Sequence, residues 1–239
     1  MTDLFVESDY FRQICDNYEL RTQAEEVFNK TQSVAEVDNF CKKIILKQRA
    51  EKLLQQSKID KRFSLRTFEN FKAYNSVTKV AKERALDYTE KIEEYLESGT
   101  NLIIEGAGCV GTGKTHLACA IAQAVMHKGI PARFVNVVSM ITEIKESFDI
   151  KKYTDVELLI IDDLGKEKGT DWVCETIYGI INKRYEQMKP TIITIETPMS
   201  QLGKNYGEKS KAILSRISED FCLIRLNTDD YRFKRRSDE

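Results

Sequence analysis

The chain has 239 residues, with 37 Lys and Arg against 38 Asp and Glu, for a net charge of −1. Hydrophobic residues at 41% suffice for a packed core and exclude wholesale disorder, while the balanced charge excludes nucleic-acid binding by bulk attraction and leaves only local patches. No apolar run approaches the ~18 residues of a membrane span, and MTDLFVESDYFRQ puts acids where a signal peptide needs a basic region. A cytoplasmic protein with no membrane partner is expected, its six cysteines reading as thiols.

Residues 1–58 are helical in pattern and contain no glycine. Ser33 and Glu36 have capping-box spacing. Behind them Val34, Val37, Phe40, Cys41, Ile44, Ile45 and Leu53 recur near the helical period. Lys42, Lys43, Lys47, Arg49 and Lys52 ride on the same helix, either as a solvated face or as a docking surface for an acidic partner or nucleic acid. Cys15 and Cys41 have no CxxC or His companion, which argues against zinc. Residues 59–75 break the pattern and read as a linker. Its aromatics, Phe63, Phe68, Phe71 and Tyr74, either anchor it to the core or wall one side of a flat ligand.

Beyond residue 76 the pattern alternates. A helix is expected to 97, with Gly99 as its stop. Short apolar strands follow at 102–105, 132–138, 157–162, 190–197 and 221–226, separated by helices. Such alternation predicts an α/β fold, a five-stranded parallel sheet covered on both faces, with any ligand beyond the carboxyl ends of the strands. The expected domain division is 1–58 helical, 59–75 linker and 76–239 nucleotide-binding.

Gly108-Cys109-Val110-Gly111-Thr112-Gly113-Lys114-Thr115 matches GxxxxGK[ST] between a predicted strand and a predicted helix, the context that a phosphate loop requires. Glycines let successive N–H groups turn inward onto phosphate oxygens, and the helix start adds its positive dipole end. Lys114 would reach the terminal phosphates, and the Thr115 hydroxyl would ligate Mg²⁺. The overlapping GxGxxG at 106–111 would want an acid at the end of the second strand; RFVNV at 133–137 has none. A second motif agrees with the first: Leu158–Ile161 form a buried strand that ends in Asp162 and Asp163. Asp162 would hold Mg²⁺, and Asp163 would orient or deprotonate the attacking water.

These segments together resemble AAA+ ATPases of the DnaC/DnaI type, loaders of the replicative helicase. The resemblance rests on RFSLRTFENF (62–71), GTGKTHLACAI (111–121), LLIIDDLG (158–165), INKRYEQMKPTIIT (181–194), LSRI (214–217) and DYR (230–232), over roughly residues 58–236. Transposition-associated ATPases of the IstB type are similar over the same core.

The resemblance implies a P-loop AAA+ core whose ATP and Mg²⁺ are held by residues 108–116, His116 included, with Phe68 and Phe71 near adenine. It implies Arg216 as a finger acting in trans after self-assembly, and Arg232 as a second sensor in cis. The polar residue ending the fourth strand should sense the γ-phosphate. Here that strand ends Thr194-Ile195-Glu196, so either Thr194 takes the role or Glu196 weakens turnover. The implied partners are a hexameric replicative DNA helicase and single-stranded DNA, with Lys145, Lys151, Lys152 and Tyr153 as DNA candidates. Thirteen residues after the last strand are too few for a full helical lid. A nucleotide-gated adaptor with little turnover stays open as an alternative.

Overall fold

The computed structural model describes residues 9–56, 61–106, 110–202, 206 and 209–230. Helices α1 (Asp9–Ile14), α2 (Tyr18–Thr31) and α3 (Val34–Gln56) come first. Asn17 caps α2 by accepting from Leu20 N at 3.1 Å, and the Ser33 hydroxyl accepts from Glu36 N at 3.4 Å to start α3. Phe11, Ile14, Ala24, Val37 and Cys41 make a small core of their own. The far half of α3 joins the main core instead, where Leu53 and Leu54 pack. The chain then passes through α4 (Lys61–Ser64), and Phe63, Phe68 and Phe71 also enter that core.

The single helix expected over 76–97 is two, α5 (Ser76–Glu90) and α6 (Ile92–Ser98), which meet at Lys91. The break lets fully buried Ile92 turn inward while Tyr95 stacks on Tyr88 at 4.7 Å. Asn75 and Thr78 form a reciprocal capping box at the start of α5. Gly99, in the left-handed region at φ +76°, closes α6; a side chain there would meet Met188 backbone atoms at 3.1–3.2 Å.

The remainder is β1 (Asn101–Glu105), α7 (Lys114–His127), β2 (Ala132–Asn136), α8 (Val137–Ser147), α9 (Lys151–Thr154), β3 (Leu158–Leu164), α10 (Asp171–Glu186), β4 (Thr191–Ile195), α11 (Met199–Leu202), α12 (Ser210–Ile217) and β5 (Phe221–Arg225). The five strands form one parallel sheet in the order β2-β3-β4-β1-β5. The second strand stops two residues before the expected 138, because the Asn136 side chain accepts from Val138 N at 3.0 Å and starts α8.

Strand alternation divides the core. Leu102, Ile104, Leu158, Ile160 and Ile192 face α5 and α7, whereas Ile103, Leu159, Ile161, Ile193 and Ile195 face α8, α10 and α12. Asp162 continues the even series of β3, so its side chain is sent toward α7, whose first turn carries Thr115.

Candidate nucleotide-binding site

β1 ends at Glu105, and Gly106 N donates to Ile195 O at 3.0 Å, tying the start of the loop to β4. Gly108 and Cys109 lie outside the described residues, as does Arg232. From Val110 onward the loop is described: Val110 is exposed, Thr112 and Lys114 are buried, and Gly111 and Gly113 have φ +70° and +102°. Only glycine adopts such values at little cost. At Gly113 the requirement is doubled, since a Cβ there would stand 2.8 Å from the Phe71 ring. Phe71 is therefore pressed directly against the loop.

The Thr115 hydroxyl, on the first turn of α7, donates to Asp162 Oδ1 at 3.0 Å and reaches Oδ2 at 3.1 Å. Thr194 donates to Asp162 Oδ1 at 2.7 Å and accepts from Asp163 N at 2.8 Å. Both bonds depend on a bulge. The pairing of β3 with β4 shifts register between Ile161 and Leu164, and Asp163 sits in it at φ +60°. A non-glycine residue there carries a backbone cost of about 1–3 kcal/mol, sustained by Thr194 from behind.

Burial pushes the Asp162 carboxyl up to about 6, against the hydrogen bond from Thr194; Asp163 adds to the rise, while Thr115 and Lys166 oppose it. Burial likewise pulls the Lys114 ammonium down, and Asp163 and Glu196 oppose this. Lys114 Nζ is 3.5 Å from Thr112 Oγ1. A hard divalent cation suits the Thr115–Asp162 pair. Two adjoining oxygen donors, one anionic, are what Mg²⁺ takes from a protein when phosphate and water complete its shell.

The other expected residues fall elsewhere. The His116 ring turns to the segment before α5: Nε2 lies 2.9 Å from Thr67 O, and the ring meets Phe71 edge-on at 5.1 Å. Phe68 is buried in the core on the α5–α7 face. Thr194 is fully buried, and its hydroxyl is bonded to the Asp162 carboxylate and to Asp163 N, so it positions that pair. Glu196 ends at Lys166, with Oε2 and Nζ 3.1 Å apart. Arg216 lies at the opposite, amino end of the strands. Ile217 O accepts from Asn101 Nδ2 at 3.2 Å and Asp220 O from Asn101 N at 3.0 Å, at the amino end of β1. The phosphate loop leaves the other end of that strand, about 17 Å away at ~3.3 Å per residue over five residues. Arg216 Nε donates to Asn182 Oδ1, and its guanidinium lies over Tyr178 and Tyr185 at 5.2 and 5.7 Å.

Two residues with large roles were not singled out from the sequence. Lys166 bridges Asp163 and Glu196; Gly165 at φ +98° beside it was the only signal. Arg184 is 1% exposed and donates to Thr191 Oγ1 and to the carbonyls of Tyr153, Val156, Glu157 and Pro190 at 2.6–3.1 Å. It lies in INKRYEQ, one of the segments that carry the resemblance.

A parallel sheet in this order, with a phosphate loop after β1 and acids at the end of β3, defines an ATP-binding protein with an AAA+ core. The chain belongs to the family described as IstB-like ATP binding protein, whose model matches residues 18–239. The phage-like element PBSX protein XkdC of Bacillus subtilis (strain 168) is 28% identical over 219 residues, 84% of this chain and 79% of that one. The replicative helicase loader DnaC of Escherichia coli (strain K12) is 25% identical over 175 residues, 70% of this chain and 69% of that one. The crystal structure of the DnaC helicase loader superposes with a TM-score of 0.63 at 28% identity, covering 70% of this chain and 99% of that one. That of DnaI shares the fold at TM-score 0.59 and 22% identity, covering 72% and 94%. Among the described residues no helix is long and apolar enough to cross a membrane.

Proposed function

We propose that this protein is an ATP-hydrolysing switch that loads a hexameric replicative DNA helicase onto single-stranded DNA. The observation that carries the catalytic half is the contact between the Thr115 hydroxyl and the Asp162 carboxylate at 3.0 Å. In this reading Lys114 and the loop amides bind the β- and γ-phosphates, and Thr115 and Asp162 hold Mg²⁺. Bound there, Mg²⁺ would supply neutralisation of the phosphate charge. Asp163 takes the proton of a water whose oxygen bonds to the γ-phosphorus as the β–γ bridge breaks, giving ADP and inorganic phosphate. Arg216 is too far from its own loop to help, which supports supply from an adjoining protomer; such fingers are worth about 10³–10⁵ in rate.

The loader half rests on the DnaC likeness and on the small core of α1–α3, which offers a surface separate from the site. Lys43 and Lys47 are exposed on α3. An IstB-like role with a transposase partner is the second reading, favoured by a family match that takes in α2 and α3 as well as the ATPase core. One experiment separates them: co-sedimentation with a hexameric replicative helicase, with ATP, with ADP and with neither. Nucleotide-dependent capture, lost on Lys43→Glu/Lys47→Glu with ATP affinity intact, is the expected result. No capture in any nucleotide state, with tight binding to duplex DNA, would contradict the loader reading.

A further inference from the structure

The turn that follows β3 is built to hold one cation over the acids. Lys166 N donates to Asp163 O at 3.1 Å, and Gly165 takes φ +98° to let the chain reverse. Gly165 N donates to Glu167 Oε2 at 2.9 Å, and the buried Glu167 is bonded in turn by the hydroxyl of buried Tyr206. So clamped, the turn sends Lys166 back: its Nζ lies 3.1 Å from Asp163 Oδ2 and 3.1 Å from Glu196 Oε2. Lys166 thus sits on Asp163, whose neighbour Asp162 accepts from Thr115, the residue next to Lys114, while Thr194 is fully buried.

The geometry points to Lys166 as the γ-phosphate sensor of this protein, exchanging its contacts with Asp163 and Glu196 for the terminal phosphate when a triphosphate binds. This rests on the reading of the phosphate site above. Without a γ-phosphate, Lys166 covers the Asp163 carboxylate that would take the proton from water. With one, Lys166 moves onto the more strongly charged oxygens and leaves Asp163 uncovered. Glu196 then has a defined role. It stores the ammonium within reach of the site until a triphosphate draws it away. Hydrogen bonds between charged partners are among the strongest a side chain makes, and a bond that only ATP can form must appear as a preference for ATP over ADP.

The test is displacement of a fluorescent nucleotide by ATP and by ADP, in Mg²⁺, from the full chain and three variants. Lys166→Ala should lower ATP affinity about 10- to 100-fold, the range of one hydrogen bond to a charged group, and leave ADP affinity unchanged. Lys166→Arg should recover most of the preference. Glu196→Gln removes one of the carboxylates competing for the ammonium and should raise ATP affinity relative to ADP. Equal losses for the two nucleotides in Lys166→Ala, or an unchanged ATP affinity, would overturn the proposal, as would a selective loss of ATP in Glu196→Gln. Wild-type protein that bound neither nucleotide would instead defeat the phosphate-site reading, so the two failures are distinct.

Discussion

The two ends of the sheet bury a cation each and use it differently. At the amino end, Arg184 is enclosed by five oxygens of the surrounding chain at 2.6–3.1 Å. Burial draws its guanidinium down to about 9, which leaves it charged at neutral pH. Its fork stitches α10 to the turns before β3 and β4. At the carboxyl end, buried Lys114 sits in a field of carboxylates, Asp163, Glu196 and Asp162, with Lys166 opposing them, beside glycines held at positive φ and an aspartate in a bulge. Neutral carbonyls around a cation make a fastener. Clustered charges on a strained backbone make a site that a ligand can reorganise.

Substitution at the fastener should have the largest effect on stability. Arg184→Ala leaves several buried carbonyls without a donor, and a loss of about 3–5 kcal/mol is expected, measured by denaturant unfolding; its ATP affinity should be normal wherever the protein is folded. Lys114→Ala should do the reverse. ATP binding falls at least about 100-fold, the value of two hydrogen bonds to a charged group, with secondary structure and unfolding midpoint little changed. A Lys114 variant that binds ATP normally would break the contrast.

Smaller effects sharpen it. Gly113→Ala meets both a positive φ and the Phe71 ring, and should cost about 1–3 kcal/mol together with ATP affinity; pairing it with Phe71→Leu should restore part of the stability. Because Asp162 titrates near 6, it is neutral below that value and ionised above it. The Mg²⁺-dependent part of ATP affinity should therefore be full above about pH 7 and fall as pH drops through 6, toward about tenfold per unit. Thr194→Val deletes a bond that holds the value down, so its midpoint should lie above that of the wild type. The smallest change is expected for Asn182→Ala, which frees Arg216 from its anchor: ATP affinity unchanged, and turnover at high protein concentration reduced a few-fold, on the order of 1 kcal/mol.

The sheet was legible because each strand is a short apolar run and each helix has its own period. The phosphate loop and the paired aspartates were legible because their chemistry needs fixed residue types at fixed spacing. What stayed hidden depends on contacts between distant segments. The match of Lys166 to Glu196 needs the turn at Gly165 and the end of β4 side by side, thirty residues apart in sequence. The enclosure of Thr194 needs the bulge at Asp163, which no local pattern announces. His116 reads as part of the loop, yet one face of α7 carries it toward Thr67 and Phe71. The split at Lys91 is a packing demand of Ile92 and Tyr95, in a segment whose helical period runs through unbroken.

Thr115 and Asp162 would together hold Mg²⁺, which would supply charge neutralisation to a bound triphosphate. Calorimetric titration of ATP with Mg²⁺ and with a chelator, on the wild type and on Asp162→Asn, addresses it directly. The wild type should bind more tightly with Mg²⁺ than without, and Asp162→Asn should bind ATP with the same weakened affinity in both conditions. An Asp162→Asn protein that kept the full gain from Mg²⁺ would contradict the account.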